Sequence, residues 1–184
     1  KAMIESSGGT YDPAIMKTDS GQRPTMQEDV VVHEEVTPTL THEAQEPSVE
    51  LDSVVLAKAL KHMAVLEERE LTQSQIQCIL YIAYGVRLAQ KGERLTAEHP
   101  QMWQYGPVFP RAYNRLRKDA GDGFEEYDTL RNEHPDIFQY LTNCFRRYAW
   151  TKACILVAPH VADGSPWADT RKSNPDSWGG RIED

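Results

Sequence analysis

His160, Ser165 and Asp169 lie close together near the end of the chain, and they are the side-chain types of a nucleophile, its base and the acid that orients the base. Their surroundings argue against that chemistry. Ser165 sits in no Gly-x-Ser-x-Gly elbow, and Pro166 directly after it removes a backbone N–H that an oxyanion hole would use. Ser165 followed by Pro166 instead suits the cap and first turn of a short helix, with Trp167 packed inward. His160 then reads as a hydrogen-bonded structural histidine tying the loop to a helix end. Metal chemistry has no better basis. The six histidines are scattered, with no His-Glu-x-x-His and no Cys-x-x-Cys. Asp119, Asp122, Glu125, Glu126 and Asp128 around Gly121 and Gly123 do not follow calcium-loop spacing and read as a solvated turn. Cys78, Cys144 and Cys154 lie in apolar helical patterns and read as reduced core residues. No glycine-rich phosphate loop is present. The residues therefore predict no catalytic group, no cofactor and no metal, and a protein that binds rather than catalyses.

Recognition chemistry is better represented. In Trp103-Gln104-Tyr105-Gly106-Pro107-Val108-Phe109-Pro110, Gly106 is free to take positive φ and Pro107 fixes the next residue, so Tyr-Gly-Pro predicts a turn. The two prolines hold Val108 and Phe109 extended and then open a helix. Such a corner either places Trp103 and Phe109 in the core or presents Trp103, Tyr105, Gly106, Pro107 and Val108 to a partner, where Tyr and Trp are favoured. Just beyond it, Arg111, Arg115 and Lys118 recur at helical spacing on one face. That face either is solvated and balanced by nearby acids or docks an acidic partner or the protein's own acidic extension.

The elements that must position these residues follow from pattern. The formal charge of −8 comes from 20 Lys+Arg against 28 Asp+Glu. Residues 1–50 carry 3 basic and 10 acidic side chains and, of the 16 aromatics, only Tyr11. They form an acidic, Pro/Thr/Glu-rich extension, expected to be disordered alone or ordered by a partner. Its dense apolar patch, Val30, Val31 and Val32 beside Glu34 and Glu35, is the expected contact, adding a strand to an exposed edge. Residues 51–184 are nearly neutral and form the folding domain. That balance excludes both a uniformly polyacidic protein and a strongly basic nucleic-acid binder. No apolar run approaches the roughly 18–20 residues of a membrane span, and the start has no signal-peptide layout, so a soluble, cytoplasmic protein is expected.

Asp52 or Ser53 can cap a helix carrying Leu56, Ala59, Leu60 and Met63. Thr72 and Gln75 form a capping-box pattern opening a helix that is apolar over most of its circumference, with Gly92 as its stop. Glu93 to Pro110 reads as a loop with short irregular elements. Pro110 opens another helix, and Pro135 opens a long one continuing through Trp150 to Ile155, stopped by Pro159. The last stretch reads as loop with one short helix. The predicted fold is mainly α, a compact bundle of about five or six helices.

Taken together, Ile79-Leu80-Tyr81 through Leu88, Gly92-Glu93-Arg94-Leu95, Trp103 to Val108 with Pro110 and Tyr113, then His160 with Gly164-Ser165-Pro166-Trp167, and finally Trp178 with Ile182-Glu183-Asp184 resemble the Panacea domain of SocA-like antitoxins and phage-associated proteins. The resemblance spans about residues 54–184. It implies a helical domain, bacterial or phage-encoded, that neutralises a cognate toxin by direct binding. A proteolytic adaptor delivering the toxin to a protease, a phage-derived interaction protein and a DNA-binding autorepressor are the alternatives, with homo-oligomerisation open. The expected binding residues are Trp103, Tyr105, Gly106, Pro107, Val108, Arg111, Arg115, His160, Ser165, Pro166 and Trp167.

Overall fold

A computed structural model describes residues 51–184. The extension of residues 1–50, with the expected contact at Val30, Val31, Val32, Glu34 and Glu35, lies outside the described residues. The described part is mainly α: α1 (Ser53–Leu66), α2 (Gln73–Lys91), α3 (Pro110–Leu116), α4 (Phe124–Glu133), α5 (Pro135–Tyr148), α6 (Ala153–Val161) and α7 (Pro166–Ser173). Three short strands, β1 (Gln101–Trp103), β2 (Gly106–Val108) and β3 (Gly180–Arg181), complete it.

Local signals start and stop most helices where the sequence places them. The Asp52 carboxylate accepts the Val54 N–H at 2.9 Å and caps α1. Thr72 and Gln75 exchange the two reciprocal bonds of a capping box, at 3.2 and 3.0 Å. Gly92 ends α2 in the left-handed region at φ 69°. Pro110 and Pro135 stand in the first turns of α3 and α5, and Ser165 caps α7 by accepting the Ala168 N–H at 3.1 Å.

α2 is the central element. Ile76, Ile79, Leu80, Ala83 and Tyr84 are buried on it, against Leu56 and Leu60 of α1 and Ile137, Leu141 and Phe145 of α5. Arg87, also buried, extends from α2 to Glu93 at 2.6 Å and to Asp136 of α5 at 2.9 Å. Burial pushes the Asp136 carboxyl up, but the Arg87 guanidinium together with the backbone N–H groups of Ile137 and Asp136 outweighs it and holds the carboxyl below its ordinary range.

Four expectations are corrected. The predicted long helix from Pro135 to Ile155 is two helices, α5 and α6. The break at 149–152 contains no helix breaker; tertiary bonds hold it, with Gln75 Nε2 donating to the Thr151 carbonyl at 2.9 Å and Arg69 stacked 4.1 Å over Trp150. Pro159 lies inside α6 rather than ending α5. The acids after Gly123 open α4 rather than a solvated turn. Lys58 of α1 bridges Asp119 at 2.7 Å and Glu126 at 2.6 Å. Cys154 is exposed, whereas Cys78 and Cys144 are core residues as expected.

The Lys58 bridge makes stability acid-sensitive. The Lys58 ammonium, with the Gly121 N–H, lowers the Asp119 carboxyl to about 2. Its ordinary value in an unfolded chain is about 3.9. A depressed carboxyl contributes stability that is complete above the unfolded value and lost as pH falls through the folded one. Melting temperatures recorded from about pH 5 to about pH 2 should therefore fall, and Asp119→Asn should flatten that dependence. An unchanged slope in the variant would show that the bridge does not contribute.

Candidate functional site

The hairpin β1–β2 turns through Gln104-Tyr105, with Trp103 opposite Gly106, and β3 pairs on the other side of β1. Gly106 takes φ 124°, as the sequence requires, and a Cβ there would stand 3.3 Å from the Val157 side chain. The hairpin is thus pressed against α6. Phe109, fully buried, anchors its far end against Tyr84.

Between the hairpin and the start of α2 lies a cleft of about 380 Å³. Trp103, Tyr105, Pro107 and Val108 line it from the hairpin, Tyr113 from α3, Val157 from α6 and Trp178 from the segment before β3. Gln77 and Cys78 line it from α2, with Ser74 and Gln104 beside them. None of these side chains is charged. Tyr105 is 80% exposed and projects from the turn, while Trp103 is half-buried with its ring edge on Tyr113.

The buried side of the cleft is the amide of Gln77, 2% exposed. Its Oε1 accepts the Phe109 N–H at 2.8 Å, which orients the amide and leaves Nε2 with no hydrogen-bond partner among the described residues. A buried donor left unpaired costs about 1–3 kcal/mol. Cys78 offers no reactivity in return: burial pushes its thiol up to about 11, so it stays protonated near neutral pH. The cleft can hold an apolar, uncharged group.

The expected binding residues are divided among different places. Trp103, Tyr105, Pro107 and Val108 share the cleft, and Gly106 supports it from behind. His160 and Pro166 line a second, strongly apolar groove along α2 with Tyr81, Leu88 and Ile182. Among the described residues His160 is not the hydrogen-bonded tie that was expected. Its Nε2 is buried without a partner among them, and its ring meets Tyr81 edge-on at 5.1 Å. Burial lowers its pKa, which keeps the imidazole neutral at pH 7. Ser165 caps α7. Trp167 donates its indole N–H to the Trp103 carbonyl at 3.0 Å, so α7 braces β1. Arg111 and Arg115 line a third, shallow groove with Lys118. Arg111 pairs there with Asp52 at 2.6 Å and Arg115 approaches Asp119 at 3.8 Å, the balanced face rather than an open basic one.

Sequence reasoning missed Gln77, Tyr113, Val157 and Trp178 as members of one cleft. Only Gln77 carried a signal, as an amide inside a helix otherwise apolar over most of its circumference. Among the described residues no His, Cys, Asp and Glu are grouped to hold a metal ion, and no helix is long and apolar enough to cross a membrane.

Residues 76–151 match the family model described as Antitoxin SocA-like, Panacea domain, which bears out the resemblance read from the sequence. The chain is 27% identical over 143 residues to Antitoxin SocA of Caulobacter vibrioides (strain NA1000 / CB15N), an alignment covering 71% of this chain and 73% of that protein. No solved structure matches the chain.

Proposed function

We propose that this chain, whose residues 76–151 carry a SocA-like Panacea domain, is an antitoxin that neutralises a cognate toxin by direct binding in the cytoplasm, using the cleft beside α2 as its contact. One observation carries the reading. The stretch matching the antitoxin family also supplies most of the cleft, from Gln77 and Cys78 to Trp103, Tyr105 and Tyr113. The chemistry of the cleft agrees with it. Exposed Tyr and half-buried Trp around a concave, uncharged surface are the side chains that dominate protein–protein contacts, and no charged group stands ready to do catalysis there. We accordingly read the protein as a binder and not an enzyme. The paired state of Arg111 and Arg115 favours this reading over a DNA-binding one, since cations already matched to carboxylates release fewer counterions from a phosphate backbone.

The test is to express the gene adjoining this one alone and together with this chain, with growth arrest by the neighbour and its relief by the chain as the expected result. Tyr105→Ala alters a side chain that is mostly in solvent and should leave the fold intact. It is expected to weaken toxin affinity by about 30-fold, the effect of a contact residue worth ~2 kcal/mol, and to abolish rescue at low expression. Trp103→Ala should do the same if circular dichroism shows the helices retained. Full rescue by both variants, each folded, would place the toxin contact elsewhere.

A further inference from the structure

α6 is apolar around its whole circumference, yet the fold covers little of it. From Ala153 to Val161 it carries no Lys, Arg, Asp or Glu, and Leu156 is its buried residue. A helix of that composition belongs inside a core or an interface. Opposite Leu156 runs an exposed stripe of Cys154, Ile155, Ala158, Pro159 and Ala162, with Ile155 60% exposed. Their spacing of one, four, five and eight residues puts them on one face of the helix. A contiguous apolar surface of this kind marks a contact with another molecule.

The charges at the two ends of α6 say what covers it. Lys152 stands at its N-terminal end and Asp163 just beyond its C-terminal end. Both oppose the helix dipole, which favours an anion at the N-terminus and a cation at the C-terminus. Lys152 makes no ion pair among the described residues. The Asp163 side chain, 98% exposed, reaches the Lys172 ammonium at 3.9 Å, which Asp169 approaches more closely at 3.6 Å. A partner for this face must be apolar along its middle, negative opposite Lys152 and positive opposite Asp163. The same face turned end for end meets all three needs.

With Ala158 on a two-fold axis, Cys154 lies opposite Ala162 of the second copy, and Lys152 falls within one residue of its Asp163. Each lysine then sits at the negative end of the other copy's helix and each aspartate at the positive end. Cys154, Ala158 and Ala162 are small, so the two backbones can come close, with Ile155 and Pro159 filling the flank. We infer that this chain forms a two-fold homodimer in which the exposed faces of two α6 helices pack antiparallel, Lys152 of each paired with Asp163 of the other. The dimer goes beyond the antitoxin reading and does not depend on it. One short helix per copy makes a small interface, so the dissociation constant is expected at about 10–100 µM.

The experiment is sedimentation equilibrium of the full chain, reduced and at physiological salt, from about 2 to about 500 µM, where monomer should pass to dimer. Over that range alkylation of Cys154 in the unaltered protein should slow by about fivefold, which places the contact on α6. Cys78 and Cys144 are buried and do not compete. Ala158→Glu puts two like charges on the axis and should weaken the dimer by about tenfold or more. Lys152→Asp faces Asp163 with a like charge and should do the same, although it gives α6 a better cap and so leaves the fold intact. Adding Asp163→Lys to Lys152→Asp makes the charges opposite again and should bring the dimer back. Circular dichroism checks that each variant keeps its helices. A monomer across the whole range overturns the proposal. So does a dimer that survives Ala158→Glu, or one in which Cys154 reacts equally fast at every concentration, since its contact lies elsewhere. A double exchange that does not restore the dimer overturns the antiparallel pairing, and with it the proposal.

Discussion

Alanine at Gly123 is expected to lower the unfolding free energy by about 3–5 kcal/mol, at the upper end for a single substitution. Gly123 lies just before α4 at φ 83°, where an L side chain is strained. A Cβ there would stand 2.2 Å from the Lys58 carbonyl oxygen of α1, so the two helices would have to separate. Separation would also stretch the Lys58 bridges to Asp119 and Glu126. Gly164 supplies the internal control. Its φ of 82° is nearly the same, yet a Cβ there meets nothing within 4 Å. Gly164→Ala should thus show the backbone strain alone, about 1–2 kcal/mol. Urea unfolding of both variants reads the difference. Equal losses would mean that α1 and α4 can move apart without cost.

Phe109→Ala is expected to cost about 3–5 kcal/mol, the range for truncating a fully buried aromatic ring. Phe109 is 0% exposed and meets Tyr84 edge-on, so its loss leaves a void between α2 and the hairpin. The consequence reaches the cleft, because the corner that the ring anchors also carries the backbone N–H that orients the Gln77 amide, and alanine keeps that N–H but not the anchor. Chemical denaturation measures the stability. Under the proposed function, toxin affinity measured well below the lowered melting temperature should fall as well. Phe124→Ala, which removes an aromatic ring 55% exposed, should stay within about 1 kcal/mol. Comparable losses at the two positions would show that the corner is not anchored by its burial.

What was legible in the sequence was what short-range chemistry decides. Thr72 with Gln75, Gly92, Pro110, Pro135, and Ser165 with Pro166 each meet a need of a helix end that the neighbouring residues alone define, and each does so in the fold. The break between α5 and α6 was not legible. Its determinants, Gln75 on Thr151 and Arg69 on Trp150, come from some eighty residues away along the chain. α4 escaped because only Leu130 is buried on it, too few apolar positions to show a period. The strands escaped because two or three residues cannot display alternation.

The site divides the same way. Trp103, Tyr105, Pro107 and Val108 are nearly contiguous, so their cluster was visible as a string. Gln77, Tyr113, Val157 and Trp178 join them only through the packing of four separate segments. The reverse error has the same origin. His160 and Ser165 are near neighbours in sequence, but one packs on α2 and the other caps α7.

The three cysteines differ in a way that makes the chain a ready-made reporter. Cys78 and Cys144 are buried with thiols pushed up to about 11, so they resist alkylation, while Cys154 is exposed at the start of α6. A maleimide dye would therefore attach to Cys154 in the unaltered protein. Val157, one helical turn further on, lines the cleft, so the dye would sit beside the proposed contact without any engineered thiol. Fluorescence from that single label could follow a partner's arrival in real time, including partners that contain no tryptophan.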